Sequence, residues 1–131
     1  MKRLFLLSVF SLYFIISYAE NFHGVTTNCL LLNRTTQKWE YLEDGEGIQV
    51  LCDENKKLYI FSKKIQIFTL LHIKTPHINP SGHLQCTSNA IDQDNINCFV
   101  RFVYRDDIEA PLQIYIHYNN IEYVYNIIPL N

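Results

Sequence analysis

The chain has 131 residues, of which 48% are hydrophobic and 18% charged, and its formal net charge at pH 7 is −2. The high apolar fraction excludes a disordered chain, and the length excludes a second large domain. The slight acidity excludes nucleic acid as a partner, because such binding needs a surplus of basic side chains. We therefore expect one compact domain.

The N-terminal segment has the features of a secretory signal peptide. Lys2 and Arg3 precede a charge-free apolar stretch at 4–18, and Ser17 and Ala19 place small residues before a cleavage site. The stretch is too short to span a bilayer as a helix. We predict a signal peptide at 1–19 and a domain at 20–131 that lies in the endoplasmic reticulum lumen or outside the cell. After cleavage this domain has no stable membrane insertion.

Cysteine content also suits an oxidising compartment. The mature chain contains four cysteines, which are Cys29, Cys52, Cys86 and Cys98. An even number predicts two disulfide bonds, for which three pairings are open. The spacing lacks the close pairs of a zinc site, so we expect no metal and no other cofactor. Asn33 begins an Asn-Arg-Thr acceptor for N-linked glycosylation.

The C-terminal third predicts a β-hairpin, because two alternating apolar runs, 112–118 and 121–128, flank the turn residues Asn119-Asn120. With Tyr118 opposite Ile121, one face becomes entirely apolar or aromatic. The pairs on that face are Ile116 with Tyr123, Ile114 with Tyr125, and Leu112 with Ile127. The other face, expected to be mostly solvent-side, pairs His117 with Glu122, Tyr115 with Val124, and Gln113 with Asn126.

Upstream segments repeat this period of two. Apolar sets at 48–52, 65–73 and 98–104 predict further strands, with shorter ones near 30–32, 38–42 and 58–61. In the 65–73 segment we expect Ile65, Ile67, Leu71 and Ile73 to face inward. No helical period occurs outside the leader. The fold prediction is an all-β, immunoglobulin-like antiparallel β-sandwich of seven to eight strands, stapled by two disulfides.

Trp39 and Cys98 bear on how such a sandwich would close. Trp39 lies between Cys29 and Cys52 and is interpreted as a core anchor, the alternative being a half-exposed aromatic on an edge strand. Cys98 alternates in phase with the apolar residues of its strand, so its side chain is expected to point inward. This favours bonds between distant strands, Cys29–Cys98 and Cys52–Cys86, over the local pairs Cys29–Cys52 and Cys86–Cys98.

Several short sequences between residues 29 and 116 resemble the small immunoglobulin-like accessory proteins of coronaviruses, of the open-reading-frame-eight and seven-a types. They are Cys29, Lys38-Trp39, Leu51-Cys52-Asp53-Glu54, Cys86 with eleven residues before Cys98, and Phe102 to Glu109 leading into Leu112–Ile116. The resemblance implies two disulfides across the sandwich, with the pairing favoured above. It also implies a protein that meets host immune or quality-control proteins.

No motif for catalysis is present, so we predict a protein that is not an enzyme. The first hypothesis is a viral accessory protein that binds host proteins in the secretory pathway or outside the cell and modulates their function. It could also form a non-covalent homodimer. The alternative is a non-viral secreted β-sandwich that carries a lipid or another small apolar ligand.

The predicted interaction surface is on the terminal hairpin. Its last strand is interpreted as an open sheet edge, and edges accept an added strand from a partner. The candidate contact residues are Tyr115, Val124, Glu122 and His117.

Overall fold

The structure is a computed structural model that describes residues 22–105 and 107–130. The predicted signal peptide and its cleavage site lie outside the described residues. The described chain contains ten strands. They are β1 (Phe22–Asn33), β2 (Lys38–Tyr41), β3 (Gln49–Cys52), β4 (Lys57–Ile60), β5 (Gln66–Ile73), β6 (His77–Ile78), β7 (Leu84–Asp92), β8 (Asn97–Tyr104), β9 (Leu112–His117) and β10 (Ile121–Pro129).

Eight of these strands form one closed antiparallel sheet. Pairing passes from β1 to β3, β4, β5, β7, β8, β9 and β10, and β10 then pairs with β1. The strands follow one another around the ring in chain order, as in an up-and-down barrel. β2 lies beside the last residues of β1, and β6 lies beside the start of β7.

The all-β, antiparallel prediction is therefore confirmed, whereas the division into two sheets is not. A sandwich has two sheets that face each other without pairing. Here hydrogen bonding continues around the whole ring, because β10 has a neighbour on each side. No disulfide bond joins any two of the four cysteines in the structure, so neither predicted disulfide is observed.

The inside of the barrel is filled by inward-facing apolar side chains from the strands of the ring. Among the fully buried ones are Val50, Leu58, Phe68, Val100 and Ile114. A core of this kind supplies most of the folding free energy, at about 1.5–3 kcal/mol for each large side chain removed from water.

The terminal hairpin has the predicted register. Tyr123 lies opposite Ile116 and Tyr125 opposite Ile114, while the backbone N–H of Tyr118 donates to the carbonyl of Ile121 at 2.9 Å. The inward set 98–104 is also confirmed, with Val100 and Phe102 buried.

The predicted orientation of the 65–73 segment was wrong for Ile65 and Leu71, whereas Ile73 does pack against the core as predicted. Phe68 and Leu70 are buried at 0% and 3% exposure, whereas Ile65 and Leu71 are more than half exposed. The pairing of β5 with β7 shifts between Leu70 and His72. A shift of this kind reverses the side to which later residues point, so a single alternating pattern cannot describe the strand.

Two further expectations are corrected by the strand order. Trp39 is not a core anchor, since its side chain is 50% exposed on β2. β10 is not an open edge, because β1 pairs with it from Gly24 to Asn33.

The turns at 61–65, 93–96 and 119–120 lie together at one end of the barrel, which we call the hairpin end. β4, β7 and β9 finish there, and β5, β8 and β10 begin there. The segment 42–48 between β2 and β3 belongs to the same end. Among the described residues, no helix is long and apolar enough to cross a membrane.

Candidate functional site

The four residues predicted as an interaction surface lie together on the outside of the barrel wall. Tyr115 is directly opposite Val124, and His117 is directly opposite Glu122. We call these residues, with Arg34 and Arg101, the outer-wall cluster. The cluster is less open than expected, because Glu122 is only 8% exposed and Val124 only 4%.

The carboxylate of Glu122 is the centre of this cluster. Its two oxygens lie 3.6 Å from Nη2 of Arg34 and 3.8 Å from Nη2 of Arg101. The ring nitrogen Nδ1 of His117 lies 3.3 Å from the same carboxylate. Nη2 of Arg34 also approaches that nitrogen, at 2.8 Å. One carboxylate thus faces two arginines.

His117 is neutral in the folded protein. Burial, together with the positive charges of Arg101 and Arg34, lowers its pKa to about 4. A neutral imidazole that carries its proton on Nε2 accepts at Nδ1, and this tautomer suits the 2.8 Å contact with the guanidinium of Arg34. The charge of Glu122 is therefore balanced by the arginines and not by His117.

Tyr115 links the charged cluster to a chain of amides. The guanidinium carbon of Arg101 lies 3.9 Å from the centre of the Tyr115 ring, a cation–π contact. The Tyr115 hydroxyl donates to Gln113 at 3.1 Å, and the amide of Gln113 donates to Asn126 at 2.7 Å. Nε of Arg101 is buried without a hydrogen-bond partner. The outer-wall cluster thus joins charged, aromatic and amide side chains in one continuous network on the barrel wall.

A second feature, a cavity at the hairpin end, was not predicted. It has a volume of about 870 Å³ and is lined by side chains from the segment 42–48 and from the turns at that end. This volume is in the range of small-molecule sites, which cover about 300–1,000 Å³. The sequence could not reveal the cavity, because its walls come from segments brought together only when the ring closes.

Three tyrosines form one side of the cavity: Tyr118, Tyr123 and Tyr125. The first two meet edge to face at 6.4 Å, and the last two stack at 6.3 Å. The Tyr118 hydroxyl donates to Asp92 at 2.8 Å, and Nε2 of Gln66 donates to the Tyr125 hydroxyl at 3.3 Å. Burial raises the pKa of all three hydroxyls, so they remain protonated at neutral pH.

The rim of the cavity combines apolar and charged side chains. Leu42 and Ile96 are exposed there, at 37% and 52%. Lys63, Lys64 and Asp94 also contribute to the lining. The arrangement gives an apolar and aromatic interior with a polar entrance, as in many sites for small organic molecules.

The segment 42–48 is held over the cavity by backbone hydrogen bonds to β1. The N–H of Thr26 donates to the carbonyl of Ile48 at 2.9 Å, and the N–H of Gly47 donates to the carbonyl of Thr26 at 2.9 Å. Gly45 packs so tightly that an added Cβ would lie 2.7 Å from the backbone nitrogen of Cys29. This wall of the cavity is therefore fixed by the fold.

The four cysteine thiols are buried or half-buried, and Cys29 lines the cavity. Burial raises the pKa of Cys29 and Cys52 to about 12, and that of Cys86 and Cys98 to about 11. A thiol with such a pKa is a poor nucleophile at neutral pH. No group of three or more His, Cys, Asp or Glu that could hold a metal occurs in the described part of the chain.

Asn33, the predicted glycosylation site, ends β1 at the hairpin end. Its side-chain oxygen accepts from the N–H groups of Thr35 at 2.9 Å and Thr36 at 3.2 Å. The side chain is partly exposed, and the carbohydrate itself stays a prediction.

No family model, no curated protein and no solved structure matches this chain.

Proposed function

We propose that the protein binds and carries a small, largely apolar molecule in the cavity at the hairpin end. The observation that supports this is a closed eight-stranded barrel with an opening of about 870 Å³ over a tyrosine-lined interior. The barrel interior is filled by its own side chains, so the ligand site is the cavity at the barrel's end, between the segment 42–48 and the turns. The signal-peptide prediction places this activity in the secretory pathway or outside the cell.

The chemistry of the lining indicates what such a ligand must offer. Stacked tyrosine rings and apolar side chains such as Ile48 favour a flat or aliphatic apolar body. The hydroxyl groups and Gln66 can hydrogen-bond one polar group of the ligand. Burial of the apolar body then provides most of the binding free energy, at about 25 cal/mol for each Å² removed from water.

The test compares two isoleucines of nearly equal exposure at opposite ends of the barrel. Ile96 is 52% exposed at the cavity rim, and Ile78 is 54% exposed on β6 at the far end. We expect the neutral fluorescent probe phenylnaphthylamine to bind the full-length secreted protein. Ile96→Arg should weaken that binding about tenfold, because it places a charge beside the apolar body of the ligand.

Ile78→Arg is the matched control and should bind the probe as the wild type does. Native mass spectrometry of the secreted protein should also show a co-purifying small molecule. A wild-type protein that neither binds the probe nor carries a small molecule overturns the proposal. The proposal is also overturned if Ile96→Arg and Ile78→Arg weaken probe binding equally.

A second candidate function, recognition of another protein, is favoured by the outer-wall cluster. Tyrosine and arginine dominate the energetic centres of protein interfaces, and this cluster presents Tyr115, Arg34 and Arg101 side by side. Under this proposal the chain is a non-enzymatic accessory protein that acts on host proteins, as its resemblance to coronavirus accessory proteins implies. An immunoglobulin-like sandwich with the disulfides Cys29–Cys98 and Cys52–Cys86 belongs to this proposal.

Two measurements test the second candidate. Peptide mapping of the unreduced secreted protein should find the two long-range disulfides, and a peptide that links Cys86 to Cys98 would contradict them. Arg34→Ser should reduce the capture of a purified host partner, whereas Lys57→Ser, an exposed change on β4, should not. Equal capture by both variants would rule out the outer-wall cluster as the contact.

A further inference from the structure

β2 is a strand with an open side. It pairs with β1 alone among the described residues, whereas each strand of the barrel ring has two neighbours. All four of its residues are exposed, with Trp39 at 50% and Tyr41 at 71%. An exposed edge with large aromatic side chains is a site where another strand can add.

The hydrogen-bonding direction of β2 follows from its pairing with β1. The N–H of Leu42 donates to the carbonyl of Cys29 at 2.9 Å, so the backbone of Leu42 points toward β1. Directions alternate along an antiparallel strand. The backbone groups of Lys38 and Glu40 therefore also point toward β1, and those of Trp39 and Tyr41 point to the open side.

We propose that two copies of this chain associate by antiparallel pairing of their β2 strands, centred on Trp39. The two β2 strands would form one continuous sheet, related by a two-fold axis that passes through it. This axis brings together residues of the two copies that lie on the same face of the sheet. In this register the two Trp39 residues exchange backbone hydrogen bonds. Lys38 of each copy then lies opposite Glu40 of the other.

The charges of β2 favour the register centred on Trp39 over the adjacent register, which is centred on Glu40. Opposite charges that face each other across paired strands are favourable, and like charges are not. Centring the pairing on Glu40 would place two carboxylates opposite each other. Centring it on Trp39 instead gives two Lys38–Glu40 contacts and places the two indole rings side by side on the outer face.

The inference is independent of the cavity and of the ligand proposed for it. The four-residue edge is short, and interfaces of small area give weak, reversible association. We therefore expect a dimer whose population rises with protein concentration and falls with added salt.

The proposal is tested by reversing the charges of Lys38 and Glu40 in the full-length secreted protein. Analytical ultracentrifugation measures the dimer dissociation constant. The wild type should dimerise reversibly at low salt. Lys38→Glu alone and Glu40→Lys alone should each raise the dimer dissociation constant at least about tenfold, because each sets like charges opposite each other at both ends of the pairing. Lys57→Glu, a change of the same charge on β4, should leave the dissociation constant unchanged.

The decisive sample is an equimolar mixture of the two single variants. In a mixed dimer every Lys faces a Glu again, so the mixture should associate with a dissociation constant close to that of the wild type. The double variant Lys38→Glu/Glu40→Lys should do the same. The three positions that are changed, Lys38, Glu40 and Lys57, are all exposed, and circular dichroism should confirm unchanged folding.

A monomeric wild type over the accessible concentration range overturns the proposal. Single variants that dimerise as the wild type does also overturn it, because the charges would then not lie at the interface. A mixture that stays monomeric while the wild type dimerises excludes the register centred on Trp39.

Discussion

The side-chain hydroxyl of Thr26 donates a 2.6 Å hydrogen bond to the backbone carbonyl of Gly45 and accepts one of 2.9 Å from the N–H of Ile48. Thr26 is only 2% exposed, so water cannot replace these contacts if they are lost. The hydroxyl thus fastens the segment 42–48 to β1 and helps to shape the cavity wall.

Thr26→Val keeps the shape of the side chain and removes the hydroxyl. We expect a loss of about 1–3 kcal/mol in the free energy of unfolding, because a buried carbonyl and a buried N–H lose a partner. Urea unfolding followed by tryptophan fluorescence measures the change. Thr75→Val, at an exposed position, should change stability by less than about 0.5 kcal/mol. Equal stability of the two variants would contradict a role of the Thr26 hydroxyl.

Val124→Lys should destabilise the fold. Val124 is 4% exposed and lies between Leu30 of β1 and Tyr115 of β9. A lysine there must bury its charge or displace these neighbours, at a cost of about 2 kcal/mol or more. Tyr41→Lys, on the exposed side of β2 in the same row of residues, is the control. Unfolding curves that coincide for wild type and Val124→Lys would show that this face is open.

The free energy of unfolding should decrease as the pH falls, and part of this decrease should come from the protonation of His117. Unfolded histidine binds a proton near pH 6.5, whereas folded His117 does so only at about 4. Between these values the unfolded state holds more protons, so the free energy of unfolding decreases as the pH falls through this window. At higher pH both states are neutral at His117, and this contribution is fully present.

His117→Gln removes that titration. We expect the variant to lose less stability between about pH 7 and pH 4 than the wild type, as measured by urea unfolding at each pH. His72→Gln, at an exposed position on β5, is the control for the loss of one imidazole. The same slope in wild type and His117→Gln would mean that Arg34, Arg101 and burial do not hold His117 neutral.

In reduced, folded protein the cysteines should resist alkylation. With pKa values of about 11 to 12, thiolates are scarce at neutral pH, and burial also blocks the reagent. Iodoacetamide should label the native protein at least about a hundredfold more slowly than the protein unfolded in guanidinium. Cys98, the least buried of the four thiols, should react first. Rapid labelling of Cys52 in the folded protein would contradict its burial.

Local patterns predicted most of the strands but not always the side to which they face. The hairpin of β9 and β10 followed from the sequence because its partners are joined by a two-residue turn, which sets the register. β7 was missed, since polar residues such as Ser88 and Asn89 interrupt its apolar pattern. The outer-wall cluster was half predicted: His117, Glu122, Tyr115 and Val124 do meet, but the arginines come from distant strands and turns.

The sequence by itself determined most of the strands and the pairing within the terminal hairpin, because alternation and turn residues act over a few positions. Closure of the barrel was decided only in the tertiary structure. Leu30 meets Val124 from nearly the opposite end of the chain, and no local pattern encodes such a contact. That single pairing of β1 with β10 removed the expected open edge, buried Val124 and left β2 as the exposed strand. It also brought Cys29 of β1 beside Tyr123 and Tyr125 of β10 in the wall of the cavity. Its physical reason is that only a closed ring satisfies the backbone groups of both terminal strands while burying their apolar faces.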